Sequence, residues 1–219
     1  MIRNALVIGA TGMVGKELIS ILVRSDYYNS LHIVTRRPYE LEHRKIKSYT
    51  INFDNFDHLT LHAHIQDVYV CLGTTMKKAG SKENFRKVDL EYVVSVARWA
   101  KKSHAEKFAV ISSMGASAQS GNFYLQTKGQ MENALIGMKL PKLIILRPSL
   151  LMGKREEFRL AERTGTILAK PLMKVMRGKL KKYVPVYAVQ VAKTMFFSTL
   201  NSIGPVQVIE NIDIARLSK

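Results

Sequence analysis

The chain has 219 residues, 47% of them hydrophobic, with 34 Lys and Arg against 17 Asp and Glu, a net charge of +17. That length suits one α/β domain with a large core, and no apolar run reaches the roughly 18 residues that a membrane span needs. No charged start followed by an apolar stretch and a cleavage site is present, so no signal peptide is expected. A single cysteine, Cys71, excludes an internal disulfide and suits a reducing, cytoplasmic setting.

The elements alternate between strand and helix. Ala5–Ile8 reads as the first strand, Met13–Arg24 as the first helix, Leu31–Thr35 as the second strand and Tyr49–Phe53 as the third. Phe56–His62 reads as a short helix and Asp67–Leu72 as a fourth strand. A long helix over Glu83–Lys101 carries Phe85, Val88, Tyr92, Val93, Val96 and Trp99 on one stripe. Lys107–Ser112 is the fifth strand, Tyr124–Gly137 a helix and Lys142–Leu146 the sixth strand. Helical Val186–Leu200, a strand at Gln207–Ile209 and a closing helix at Ile212–Leu217 follow. Short apolar strands between amphipathic helices predict an α/β fold, a Rossmann-like doubly wound parallel sheet covered on both faces. One domain over 1–219 is expected.

Residues 154–182 hold ten Lys or Arg against three Glu, a net of +7. Within them, Ile167–Arg177 is basic and amphipathic. We expect a basic lid or substrate segment over 150–185, because it follows a strand end where open α/β sheets bind ligands. A docked surface element and an anionic membrane surface are the other readings of this stretch. Nucleic acid is not an expected partner, since no basic motif with interleaved aromatics is present. Oligomeric state is not legible.

Four features fall at the C-terminal ends of the predicted strands, where this fold builds its site. The first is the run Gly9-Ala10-Thr11-Gly12-Met13-Val14-Gly15 between a strand and a helix. Glycines there permit a tight turn and close approach to a pyrophosphate, and free N–H groups at the helix start favour anions. Gly9, Thr11, Gly12, Met13, Val14 and Gly15 are therefore candidate dinucleotide contacts. The second feature is Arg36-Arg37 after the second strand. An NAD site would place a carboxylate near here, whereas a guanidinium clamps a 2′-phosphate, so NADP(H) is the expected cofactor.

The third is Leu72-Gly73-Thr74-Thr75, a small residue and two hydroxyls suited to a backbone running along a ribose. Asp54 and Pro148 complete the candidate cofactor set. The fourth is Ser112-Ser113-Met114, followed eleven residues after Ser113 by Tyr124, with Lys128 one helical turn further. Tyr and Lys four apart share a helix face. A neighbouring ammonium favours the phenolate, the same Lys reaches a ribose hydroxyl, and Ser113 holds the substrate oxygen. Ser113, Tyr124 and Lys128 are the candidate catalytic residues. His58, His62 and His64 lack a further ligand, so no metal site is expected.

This ordered set resembles the short-chain dehydrogenase/reductase superfamily, with Gly9-x-x-Gly12-x-x-Gly15 matching its extended and atypical branches. Cys71–Thr75, Lys78-Ala79-Gly80, Phe85–Asp89, Ser112–Ala116, Asn122–Gly129 and Leu146-Arg147-Pro148 are similar to the atypical members related to HIV Tat-interactive protein. The resemblance covers residues 4–153 and implies a Rossmann fold, NADP(H), a Ser-Tyr-Lys site and an Arg147–Ser149 segment near the nicotinamide. Two positions depart from the pattern: Asp89, where many members carry an Asn completing a proton relay, and Met114, where extended members carry a third Ser or Thr. The leading functional expectation is an NADPH-dependent oxidoreductase of a small carbonyl or alcohol. A non-catalytic NADP(H)-binding sensor and a nucleotide-sugar epimerase-like enzyme are the alternatives.

Overall fold

The computed structural model describes residues 3–152 and 183–217. The elements are β1 (Asn4–Ile8), α1 (Met13–Arg24), β2 (Ser30–Thr35), β3 (Ile46–Thr50), a 3-10 turn (Phe53–His58), β4 (Asp67–Val70), α2 (Met76–Ala79), α3 (Lys82–Arg86), a π-helical turn (Lys87–Glu91), α4 (Tyr92–Lys102), β5 (Lys107–Ile111), α5 (Phe123–Gly137), β6 (Leu143–Arg147), β7 (Leu151–Met152), β8 (Val186–Tyr187), α6 (Ala188–Leu200), β9 (Val206–Glu210) and α7 (Asn211–Leu217). Seven strands form one sheet in the order β3-β2-β1-β4-β5-β6-β9. Every pairing in it is parallel. The order reverses between β1 and β4, which leaves a crevice at the carboxyl ends of those strands.

Two cores cover the sheet because successive strand residues point to opposite faces. Ala5 and Val7 join Leu18, Ile19 and Leu22 of α1 and Val191 and Met195 of α6. Leu6 and Ile8 join Val93, Val96 and Trp99 of α4 and Met131 and Leu135 of α5. The basic segment expected over 150–185 lies, from 153 to 182, outside the described residues.

Three expectations shift. The third strand is Ile46–Thr50, earlier than Tyr49–Phe53. It is an edge strand whose residues are all half-buried or exposed, so it has no apolar run to announce it, and Phe53 instead starts a 3-10 turn that buries only Phe53 and Phe56. That turn ends at His58, so His62 does not share a helix with it. The long helix begins at Lys82 and is interrupted by the π turn, which brings Asp89 and Leu90 inside and leaves Val88 and Tyr92 only half-buried.

His32 is buried in β2 and sits flat on Tyr49, centroids 5.7 Å apart. Ser30 Oγ donates to Asn4 Oδ1, so it accepts from His32 Nε2 at 3.0 Å, and Tyr49 O–H then donates to Nδ1 at 3.0 Å. This network fixes a neutral imidazole. Burial first, then the Lys47 charge, push its pKa from 6.5 down to about 4. Between those values the unfolded chain binds the extra proton, so this stability is present above pH 6.5 and is lost as pH falls through the window. At about 1.4 kcal/mol per unit, the loss reaches the order of 3 kcal/mol near pH 4. Melting curves between pH 7 and 4.5 should flatten in His32→Gln; an unchanged slope would refute the assignment.

Candidate functional site

The glycine loop crosses the ends of β1 and β4. Gly9 has φ +82°, and a Cβ there would sit 2.5 Å from the Cys71 carbonyl oxygen. A Cβ on Gly15 would lie 2.1 Å from the Gly9 oxygen. Gly12 N–H closes the turn on Gly9 O at 3.0 Å. Gly12 caps α1 without a side-chain hydrogen bond, and no acidic residue stands in the first turn. The first N–H groups of a twelve-residue helix therefore lack a side-chain acceptor, and the bare glycine backbone admits a ligand at contact distance. Thr11, Gly12 and Met13 are exposed, whereas Val14 and Gly15 pack inward. The residues present fit a pyrophosphate.

Beside this loop, Thr11, Lys16, Pro38, Tyr39, Glu40 and Leu41 line an open cavity of about 380 Å³. Sequence reasoning missed Lys16 and Tyr39; the pairing of a glycine loop with the chain after β2 would have pointed to them. Arg36 and Arg37 lie on the same post-β2 segment, exposed, with no ion pair to any described residue. Thr35 Oγ1 donates to the Arg37 carbonyl and holds the bend.

Asp54 is engaged otherwise. Its Oδ1 accepts from Lys87 Nζ at 2.7 Å and from Tyr92 O–H at 3.0 Å, which hold its carboxyl below the usual carboxylate range. After β4, Leu72 packs toward the core and Gly73 is exposed. Thr74 donates its N–H to Asp89 Oδ2 at 2.8 Å. Thr75 Oγ1 caps α2 by accepting from Lys78 N–H, so that hydroxyl already has a local task. Cys71 points its sulfur at Met195, and burial pushes the thiol up to about 12, so the thiol form is favoured at neutral pH.

The β5 and β6 ends are laced together by Ser112 N–H to Leu146 O at 2.7 Å and Met114 N–H to Pro148 O at 2.9 Å. This puts Ser113 beside Pro148. Among the described residues, the only hydrogen bond of Ser113 Oγ is a long one, 3.4 Å, to Met114 O. Arg147 does not stand free. Its guanidinium bridges buried Glu132, through two bonds from Nε and Nη2, and Glu210 at 2.9 Å, and so ties β6, α5 and β9.

Tyr124 and Lys128 occupy successive turns of α5 and meet a matching pair on the chain after β4. The Tyr124 ring lies 5.6 Å from Phe85, and Lys128 Nζ lies 2.7 Å from Asp89 Oδ1. Lys128 and Asp89 are 4% and 1% exposed at their side chains, so this is a buried ion pair. Gly129 lets α5 pack closely on the chain after β5, since a Cβ there would fall 2.2 Å from the Ser117–Ala118 backbone. The fold thus brings the glycine loop, Gly73–Thr74, Ser113, Pro148, Tyr124 and Lys128 to one end of the sheet.

The family model described as NAD(P)H-binding matches residues 9–184. The chain belongs to the NAD(P)H-binding family. Protein FMP52-1, mitochondrial, from Scheffersomyces stipitis is 36% identical over 156 residues, 70% of this chain and 69% of that protein. Protein HTATIP2 from Rattus norvegicus is 28% identical across 99% of this chain and 90% of its own, in line with the atypical short-chain dehydrogenase/reductase resemblance. The solved structure of ElxO with NADP bound has a TM-score of 0.68 at 14% identity, covering 98% of this chain and 100% of that one, and shares the Rossmann-like fold. In this NAD(P)H-binding protein the cofactor class accords with the glycine cradle.

Proposed function

We propose that the protein is an NADPH-dependent oxidoreductase that interconverts a small carbonyl compound and its alcohol. The observation carrying this reading is the buried Lys128 one turn from half-buried Tyr124, beside Gly73–Thr74 at the end of β4. Gly9, Thr11, Gly12, Met13, Val14 and Gly15 would hold the pyrophosphate, with Leu72, Gly73, Thr74, Thr75 and Pro148 along the rest of the cofactor. NADPH supplies a hydride when bound. Tyr124 gives a proton to the carbonyl oxygen, Ser113 hydrogen-bonds that oxygen, and the Lys128 ammonium favours the phenolate left behind. The test is transfer of deuterium from labelled NADPH into the alcohol across a panel of aldehydes and ketones. A labelled product supports the proposal; tight NADPH binding with no product across the panel favours the sensor reading, to which the commitment of Lys128 to Asp89 lends support.

Arg36 and Arg37 select NADPH in this reading, by charge-assisted bonds to the 2′-phosphate. Changing both to Ala is expected to weaken NADPH by about 1–3 kcal/mol, roughly 5- to 150-fold, and NADH hardly at all. Titration of both cofactors by fluorescence checks this; equal losses would contradict it. The compartment belongs to the same proposal: one unpaired cysteine suits reducing surroundings, and the FMP52 relatives are named as mitochondrial.

A further inference from the structure

An open cavity of about 650 Å³ lies at the amino ends of the strands, away from the cofactor crevice at their carboxyl ends. The length of β4, about 13 Å, separates the two. A cavity of that volume suits a small organic molecule. Its walls are the chain from Asp57 to Ile65, which joins the 3-10 turn to β4, and the last turn of α4. Leu59, Leu61, Ala63 and the Trp99 ring make the apolar part of the wall. His58, His62, His64 and Lys102, all exposed, make the polar part.

The charge on this wall is one-sided. Its single carboxylate, Asp57, is met by Arg98 at 3.2 Å. The end of α4 turns its carbonyls to its own chain: Trp99, Ala100 and Lys101 accept from the N–H groups of Ser103, Ala105 and His104. Leu59 O is taken by Trp99 Nε1–H at 2.8 Å. The side-chain donors, by contrast, are unspent. Among the described residues His58, His62 and Lys102 make no hydrogen bond or ion pair. His64 is preset as a donor. Asn4 N–H donates to Gln66 Oε1 at 2.7 Å, so Gln66 Nε2 donates to His64 Nδ1 at 2.8 Å, and this network assigns the imidazole hydrogen to Nε2. No three His, Cys, Asp or Glu side chains among the described residues are grouped to hold a metal ion, so the imidazoles count as hydrogen-bond donors.

We propose that this cavity is a second binding site, for a small organic anion that carries a carboxylate on an apolar body. The Lys102 ammonium pairs with the acid group and the imidazole N–H groups complete its hydrogen bonds, which a charged acceptor strengthens. Leu59, Leu61 and Trp99 cover the apolar body.

Trp99 is the only tryptophan of the chain, so its emission reads this cavity directly. The probe is para-bromobenzoate, whose bromine quenches an indole only near contact. It is added to protein saturated with NADP+, which fills the crevice. Saturable quenching is expected, with the neutral para-bromobenzamide at least about tenfold weaker. His62→Gln with Lys102→Gln removes two exposed side chains that have no partner among the described residues. The double variant is expected to melt as the parent does and to bind the benzoate about tenfold more weakly. Should it melt early, Lys102→Gln alone is read the same way. Equal quenching by acid and amide, no saturation below about 10 mM, or full affinity in the variant overturns the proposal. Quenching that appears only without NADP+ overturns it too, since the probe then sits in the cofactor crevice. None of these measurements needs turnover, so the second site and the oxidoreductase reading stand or fall separately.

Discussion

Tyr124→Phe is expected to cut NADPH-dependent turnover by about 10²–10⁴-fold, the usual contribution of a positioned proton donor. That is about 3–5 kcal/mol of barrier. Among the described residues the phenol oxygen makes no hydrogen bond, so its removal strands no partner. The ring stays, and with it the packing on Phe85 at 5.6 Å. Stability and NADPH affinity are therefore expected to be unchanged, within about twofold for affinity. The loss should sit in the chemical step alone, read as lower kcat with retained cofactor binding. Full turnover in the Phe variant would remove Tyr124 from the mechanism.

The second large effect lies at the opposite end of β4. Asp67 is completely buried and serves three donors. Arg3 reaches it with Nη2 at 2.8 Å and Nε at 3.3 Å, and Tyr28 O–H donates at 2.7 Å. Tyr69 in turn donates to the Tyr28 oxygen at 2.7 Å, since the Tyr28 proton is already committed. Burial raises both phenols far above their ordinary range and keeps them neutral donors. Asp67→Ala would leave Arg3 with only Glu106 and strip the Tyr pair of its acceptor. Removing one partner of such a buried network is expected to cost about 3–5 kcal/mol. For a chain of this size that is a drop of about 10 °C in Tm. Asp67→Asn keeps an acceptor for Tyr28 and should lose less than half as much. Calorimetry checks it, and an Ala variant melting within about 3 °C of the parent would refute it.

The sheet was legible because its central strands are buried on both faces and write themselves as apolar runs such as Leu6-Val7-Ile8. The glycine loop was legible because its backbone demands glycine. What periodicity could not show is the inward face of α5. Tyr124, Lys128 and Glu132 form one stripe of it, and the last two are buried as ions against Asp89 and Arg147. A hydrophobic pattern is silent where the buried groups are charged and matched by partners 15 or more residues away in sequence. Asp89 was visible as a departure, but its burial beside Lys128 comes with a π turn that no residue spacing announces. Asp54 illustrates the converse: a carboxylate in a plausible position whose lone pairs serve Lys87 and Tyr92.

Leu151 and Met152 of β7 run alongside Val186 and Tyr187 of β8. Ser149 Oγ and Asn211 Nδ2 both donate to the Val184 carbonyl, and Ser149 N–H donates to Asn211 Oδ1. The described residues on either side of the interval 153–182 are therefore stitched together at one place. Since closing a loop grows only slowly more costly with its length, the domain tolerates inserts of very different size between these ends. The sheet beneath is thus insensitive to the length of that interval.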